Sequence, residues 1–250
     1  MPERTSILSD LPRYVRDAVR FYWQTRTNQL EKQAGSGAKD QGLRSAVTGG
    51  AQMDAFIQLL TNLVIEAGIN RRHVFYNESL ELPGYFRPTK KWDFLVVVKG
   101  QLVAALEAKS QVGPSFGNNF NNRTEEAMGS ALDLWTAFRE KAFGSAVRPW
   151  LGYMFLLDDC PKSRTSVAVK EPHFKVFEEF RNSSCAKRYE LFCRRLVLER
   201  HYDSAAFLLS GSQAGLGGDY AEPAPDLTFE RFARSLVAQV AAFTGRIKEL

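Results

Sequence analysis

The stretch 91–109, K-W-D-F-L-V-V-V-K-G-Q-L-V-A-A-L-E-A-K, sets three charged side chains at the ends of two otherwise apolar runs. Asp93 opens the first run, and Glu107 and Lys109 close the second. A hairpin turn centred on Gly100 makes paired positions sum to 200 and sets Asp93 opposite Glu107, with Cβ atoms about 5 Å apart. Strand side chains alternate with period two, so Lys109 shares that face. A two-residue turn at Lys99-Gly100 would instead send Asp93 and Glu107 to opposite faces.

Two carboxylates held close in a partly buried sheet repel one another unless a cation lies between them. A hard divalent ion such as Mg²⁺ takes oxygen ligands and keeps several waters, so Asp93 and Glu107 suit it, with the backbone carbonyl between Glu107 and Lys109 as a further ligand. Beside a phosphate, the Lys109 ammonium would orient an attacking water and stabilise the charge that develops in the transition state. The chemistry implied is metal-assisted attack of water at a phosphate. The same spacing also fits plain strand-end ion pairs, with Lys109 as the partner of both acids.

The elements that must position these groups follow from hydrophobic periodicity. Helical spacing of Val15, Val19, Tyr22 and Trp23 predicts a helix over 11–32, and the stripe from Phe56 to Ala67 predicts a second over 51–67, ended by Gly68. Between them, 34–50 hold five glycines and read as an exposed loop. The runs 94–98 and 102–106 are apolar on both faces, which requires helices on both sides of their sheet. A Gly/Asn-rich loop is predicted over 111–122 and a long helix over 123–142. Strands follow at 150–157 and 205–209, one or two basic helices at 172–199, and a closing amphipathic helix at 227–248. The fold class expected is α/β: a central mixed sheet flanked by helices, a single domain over 1–250 in which 1–50 form a helical extension and glycine-rich loop and 51–250 the catalytic core.

Composition agrees. The 250 residues are 44% hydrophobic and 24% charged, which suits a globular chain burying about 70–75% of its unfolded surface. No run approaches the ~18 apolar residues of a membrane span, and the charged N-terminus is unlike a secretory signal, so a cytoplasmic location and no membrane partner are expected. Three cysteines without a C-x-x-C pair and three scattered histidines argue against both a disulfide framework and a zinc site. The net charge of +5 is unevenly placed. Residues 1–50 hold 8 basic and 5 acidic groups and 160–200 hold 10 and 5, against 11 and 12 in 51–159. Two basic regions flanking a neutral centre suit a cleft that grips a polyanion, although solvated helix faces give the same pattern. His173, after Pro172, reads as a surface or capping residue, and Cys185 and Cys193 as packing residues. The run 211–218 lacks the G-K-[ST] of a phosphate loop.

The strand-end Asp followed across a hairpin by E-x-K resembles the PD-(D/E)xK nuclease site, with Trp92 where the name has Pro. VTGGAQMDAF at 47–56, EAKSQVGPSFGNNFNNRTEEAMGSALDLW at 107–135 and PWLGYMFLLDD at 149–159 resemble the XhoI family of type II restriction endonucleases. That resemblance covers most of the chain. It implies a restriction-endonuclease-like fold, Asp93, Glu107 and Lys109 as catalytic residues with Asp93 and Glu107 on the metal, and Mg²⁺-dependent cleavage of double-stranded DNA by a homodimer. The site implied is CTCGAG, cut after the first C to leave 5′ overhangs, and a cognate DNA methyltransferase is expected beside it. A structure-selective or repair nuclease with the same three residues, or a DNA-binding module without catalysis, stays open at this point.

Glu66, near the end of the helix before the sheet, stands where such nucleases often place a further carboxylate, and Gln111 continues the face of Glu107 and Lys109. Both are possible accessory residues. Asn118, Asn119, Asn121, Asn122 and Arg123 follow the active strand and begin a helix, where Asn can read adenine, Arg can read guanine and the helix start can hold phosphate. Lys39 and Arg44 in the glycine-rich loop, with Lys162, Arg164 and Lys170 after the 150s strand, are the remaining candidate DNA contacts.

Overall fold

The computed structural model describes residues 6–35, 51–144 and 147–248. A five-stranded sheet forms its centre, and each strand owes its place to apolar runs like those already noted. In spatial order they are β1 (Val74–Phe75), β4 (Phe94–Val98), β5 (Gln101–Gln111), β6 (Trp150–Asp158) and β7 (Ser204–Ser210). A separate hairpin, β2 (Glu81–Pro83) and β3 (Thr89–Lys91), precedes Asp93. The pairs β1/β4 and β4/β5 are antiparallel, whereas β5/β6 and β6/β7 are parallel. Parallel pairing demands long crossovers. α3 (Phe116–Arg139) and α5 (Cys185–Leu198) supply them on one face. The other face is covered by α1 (Leu11–Gly35), α2 (Asp54–Glu66) and α7 (Phe229–Lys248). Two short helices, α4 (Pro161–Arg164) and α6 (Ser212–Leu216), follow β6 and β7.

Leu11, Val15, Val19, Tyr22 and Trp23 of α1 are buried in the same core as the α2 stripe, and Trp23 Nε1 donates to Ser210 Oγ at 2.9 Å. α1 thus packs directly on the sheet's helical layer. The glycine-rich residues 36–50, Lys39 and Arg44 among them, lie outside the described residues.

Two elements differ from the periodicity. α3 begins at Phe116, so most of the expected 111–122 loop is strand end and helix. Gly and Asn are poor helix formers, but Phe116 is buried and the Phe120 ring packs edge-on to Tyr189 at 5.0 Å, so tertiary burial outweighs propensity. In the 172–199 region only 185–198 is α-helix, preceded by irregular chain and a single 3₁₀ turn at Glu178–Phe180. There the Glu171 carboxylate accepts from Val176 N–H at 2.9 Å and Arg181 Nε at 3.1 Å, fixing a loop instead of a helix.

The β4–β5 hairpin decides the site. Lys99 and Gly100 have φ of +50° and +76° and form a two-residue turn, with Val98 paired to Gln101. Such a turn makes pairs sum to 199. The ladder then shifts: Val97 pairs with Leu102 but Val96 with Ala104, which leaves Val103 unpaired as a β-bulge. Beyond it the pairs sum to 200, ending with Phe94 and Leu106, so the chain arrives at Asp93 and Glu107 in the register that brings them together.

Candidate active site

Asp93 stands at a bend just before β4, its N–H donating to Leu106 O at 3.2 Å. Its carboxylate Oδ2 accepts from Ala108 N–H at 2.9 Å, so the peptide between Glu107 and Lys109 serves Asp93 as a donor. Lys109 Nζ lies 3.1 Å from Glu107 Oε1 and 3.5 Å from Asp93 Oδ2. Glu107 is 2% exposed, the Lys109 side chain 22% and the Asp93 side chain 40%. The set therefore grades from a sealed acid, through a bridging ammonium, to an acid open to solvent.

Burial alone would push the Glu107 carboxyl up, but the ammoniums of Lys109 and Lys90 outweigh it and hold it below the ordinary glutamate value. Burial works to lower Lys109, and Glu107 and Asp93 overcome it, so Lys109 is raised and stays a cation. Lys90 Nζ is 3.2 Å from Glu107 Oε1, and the Tyr202 hydroxyl lies 3.2 Å from Oε2 and 3.0 Å from Ala127 O on α3. Burial raises Tyr202 well above the ordinary phenol range, so it remains a neutral hydroxyl.

Asp93 and Lys109 line a cleft of about 570 Å³ between the strand ends, α1, the start of α2 and the start of α3. Arg26, Lys91, Lys109 and Arg123 are its cations and Asp54 and Asp93 its acids, a balance that favours a polyanion. The donor set fits a hard divalent ion: the nearest anionic groups are carboxylate oxygens, Asp93 is open enough for waters to complete the shell, and Lys109 already marks the cation position between the acids. Among the described residues no cluster of three or more His, Cys, Asp or Glu is present.

The other predicted residues divide. Gln111 is buried at the cleft floor, its amide donating to Ser115 O at 3.3 Å and its Oε1 accepting from Tyr189 OH. Glu66 does not reach the cleft. Its carboxylate accepts from Ile7 N–H at 3.1 Å, because α2 runs with its first residue, not its last, towards the site. That first residue is Asp54, which lines the cleft with its carboxyl raised by burial, and beside it stands buried Gln52, whose Oε1 has no partner. Of the Asn run, Asn119 and Arg123, four apart on α3, line the cleft, whereas Asn121 lines a separate groove near Phe177. Lys162 and Lys170 are exposed, and Arg164 is held by Asp159 at 2.6 and 3.0 Å. Much of the 160–200 basic surplus is similarly paired, Arg194 with Asp226 and Arg195 with Glu179. His173 is exposed and outside the cleft lining, and Cys185 and Cys193 are buried thiols.

Asp54 carried a readable signal, an acid at a helix start, but the choice between the two ends of α2 depended on the helix direction. Lys90 and Tyr202 carried none: Tyr202 is 95 residues from Glu107, and Lys90 precedes the bend that breaks strand alternation.

The description "Restriction endonuclease XhoI" belongs to the family model that matches residues 32–222. The type II restriction enzyme BstVI of Geobacillus stearothermophilus is 58% identical over 217 residues, 85% of this chain and 96% of that protein. The type II restriction enzymes AbrI of Azospirillum brasilense and XhoI of Xanthomonas vasicola are 49% and 44% identical, over 67% and 77% of this chain and 76% and 77% of their own lengths. No solved structure matches the chain significantly. With a family match across most of its length and the site residues inside that span, the chain belongs to the XhoI family of restriction endonucleases.

Proposed function

We propose that this chain is one subunit of a Mg²⁺-dependent type II restriction endonuclease that hydrolyses duplex DNA at CTCGAG, after the first C, leaving 5′ overhangs. The observation that carries the reading is the meeting of Asp93, Glu107 and Lys109 at the edge of a cation-lined cleft. A hard cation between the two carboxylates would draw charge from the scissile phosphate and acidify a water. Asp93 and Glu107 would hold that cation, and Glu107 is kept anionic by its lysine partners.

Lys109 is itself a cation and cannot accept the water's proton. It donates, holding the attacking water on one side and the phosphate oxygen on the other as charge grows there. Asp54, a further carboxyl lining the same cleft, is the group assigned to take the proton. Arg123 and Asn119 border the path of the bound strand, and Lys91 and Arg26 neutralise neighbouring phosphates. Two sites related by the two-fold axis of a palindrome cut both strands, which calls for a homodimer on DNA. A methyltransferase that protects the same sequence completes the system.

Digesting a sequenced plasmid with purified protein and Mg²⁺ and mapping the ends tests the proposal. Ends uniformly within CTCGAG are expected, while cutting at nicks or branches regardless of sequence would favour a repair nuclease.

A further inference from the structure

Glu107 holds more positive charge than metal-assisted hydrolysis asks of it. Lys90 Nζ approaches Oε1 to 3.2 Å while Lys109 Nζ lies at 3.1 Å from the same oxygen, and the Tyr202 hydroxyl faces Oε2. Lys90 is itself 12% exposed in its side chain and sits 4.6 Å above the buried Trp92 ring, so it is locked in place and not a passing surface charge. Two ammoniums therefore crowd Oε1, while Oε2 shares the single proton of Tyr202 with the Ala127 carbonyl, and a divalent ion reaches Oε1 only by taking over from an ammonium. Lys109 also touches Asp93 and lines the cleft; among the described acids Lys90 pairs with Glu107 alone, and it lies outside the cleft lining.

The four side chains Asp93, Glu107, Lys90 and Lys109 sum to zero charge. Adding a divalent ion to that quartet leaves an excess of two positive charges beside the sealed Glu107 carboxylate, where such charge is poorly screened. Incoming phosphates supply the missing negative charge.

Given the metal reading above, we infer that Lys90 is a resident counter-ion that keeps Glu107 closed to divalent cations until duplex DNA is in the cleft. Metal and DNA then bind with positive coupling, and the coupling resides in a hairpin residue outside the Asp-Glu-x-Lys set. Lys90 acts here through Glu107 and is a positioning residue.

The test is Mn²⁺ binding to the DNA-free protein, followed by the electron spin resonance of the unbound ion. Lys90→Met, which keeps the length of the side chain and removes its charge, should bind Mn²⁺ about tenfold more tightly than wild type. Lys90→Arg, which restores the charge, should bind as wild type does. A cognate duplex measured with Ca²⁺ should tighten the wild-type ion site by a larger factor than it tightens that of Lys90→Met. If Lys90→Met melts early, Lys90→Gln is read in its place. Unchanged or weaker Mn²⁺ binding in the uncharged variant overturns the inference, as does Lys90→Arg binding as tightly as Lys90→Met. Glu107→Gln separates the two levels. Should it lose the residual ion binding while Lys90→Met leaves affinity untouched, Lys90 has no gating role and the metal site stands; should Lys90→Met keep its full gain in Mn²⁺ affinity when Glu107→Gln is added to it, the metal reading and this inference fall together.

Discussion

Asp93 reaches the same lysine as Glu107 because Val103 is left out of the ladder between them. The Lys99-Gly100 turn by itself imposes a register that separates the two acids, and the single bulge at Val103 reverses it. The site thus depends on an extra residue more than ten ångströms of strand away, at about 3.4 Å per residue.

Asp93→Ala, Glu107→Gln and Lys109→Met should each slow cleavage by at least about 10²–10³-fold while circular dichroism stays that of the wild type. Lys109→Met is the decisive variant, since near-normal cutting by it would remove the ammonium from the mechanism.

Asp54→Asn is expected to lower single-turnover cleavage by about 10²-fold. Because burial raises the Asp54 carboxyl, its base form accumulates only above the ordinary aspartate value of about 4. The wild-type rate should rise with pH through that range, and the rise should disappear in the variant. A rate profile of the same shape for both would assign the proton elsewhere.

Mg²⁺ and Mn²⁺ should support cutting, and Ca²⁺, with its looser geometry, should support binding with little turnover. DNA affinity should fall steeply with salt, because Arg26, Lys91, Lys109 and Arg123 displace counterions from phosphates. Activity that survives a chelator would contradict the first statement, and a flat salt dependence the second.

Asp133 on α3 clamps the β2–β3 hairpin: its Oδ1 accepts from the N–H groups of Tyr85 and Phe86 at 2.7 and 2.9 Å, and its Oδ2 from Arg87 Nε at 2.6 Å. Gly84 is required there, since a Cβ would stand 2.6 Å from Asp133 Oδ2. Asp133→Ala should cost about 2–4 kcal/mol, read as a lower denaturant midpoint. Burial acts to raise the Asp133 carboxyl, but the Phe86 amide and the Arg87 side chain outweigh it and hold it below the ordinary value. A depressed carboxyl stabilises the fold fully above the unfolded value of about 4 and loses that effect as pH falls through the folded one. The stability gap between wild type and variant should accordingly narrow in acid and not in alkali.

On a cognate duplex the protein should sediment as two 28.2 kDa chains per site. One chain per site with both strands cut in a single binding event would refute the dimer.

Much of the fold was legible in the chain because burial imposes local periodicity. The stripes of α1, α2 and α7 and the two-faced apolar runs of β4 to β7 give strong signals wherever one element packs on one layer. The Asp-Glu-x-Lys set was legible for a related reason, since charges at the ends of apolar strands have no packing role and stand out. Three things awaited the tertiary structure. The bulge was invisible, as Val103 is as apolar as its neighbours and pairing energy does not show in a single strand. The early start of α3 came from aromatic burial against α5, which overrides weak local propensity. The company of Glu107, with Lys90 from a separate hairpin and Tyr202 from the approach to β7, was set by chain segments brought together only when the sheet closed against its helices.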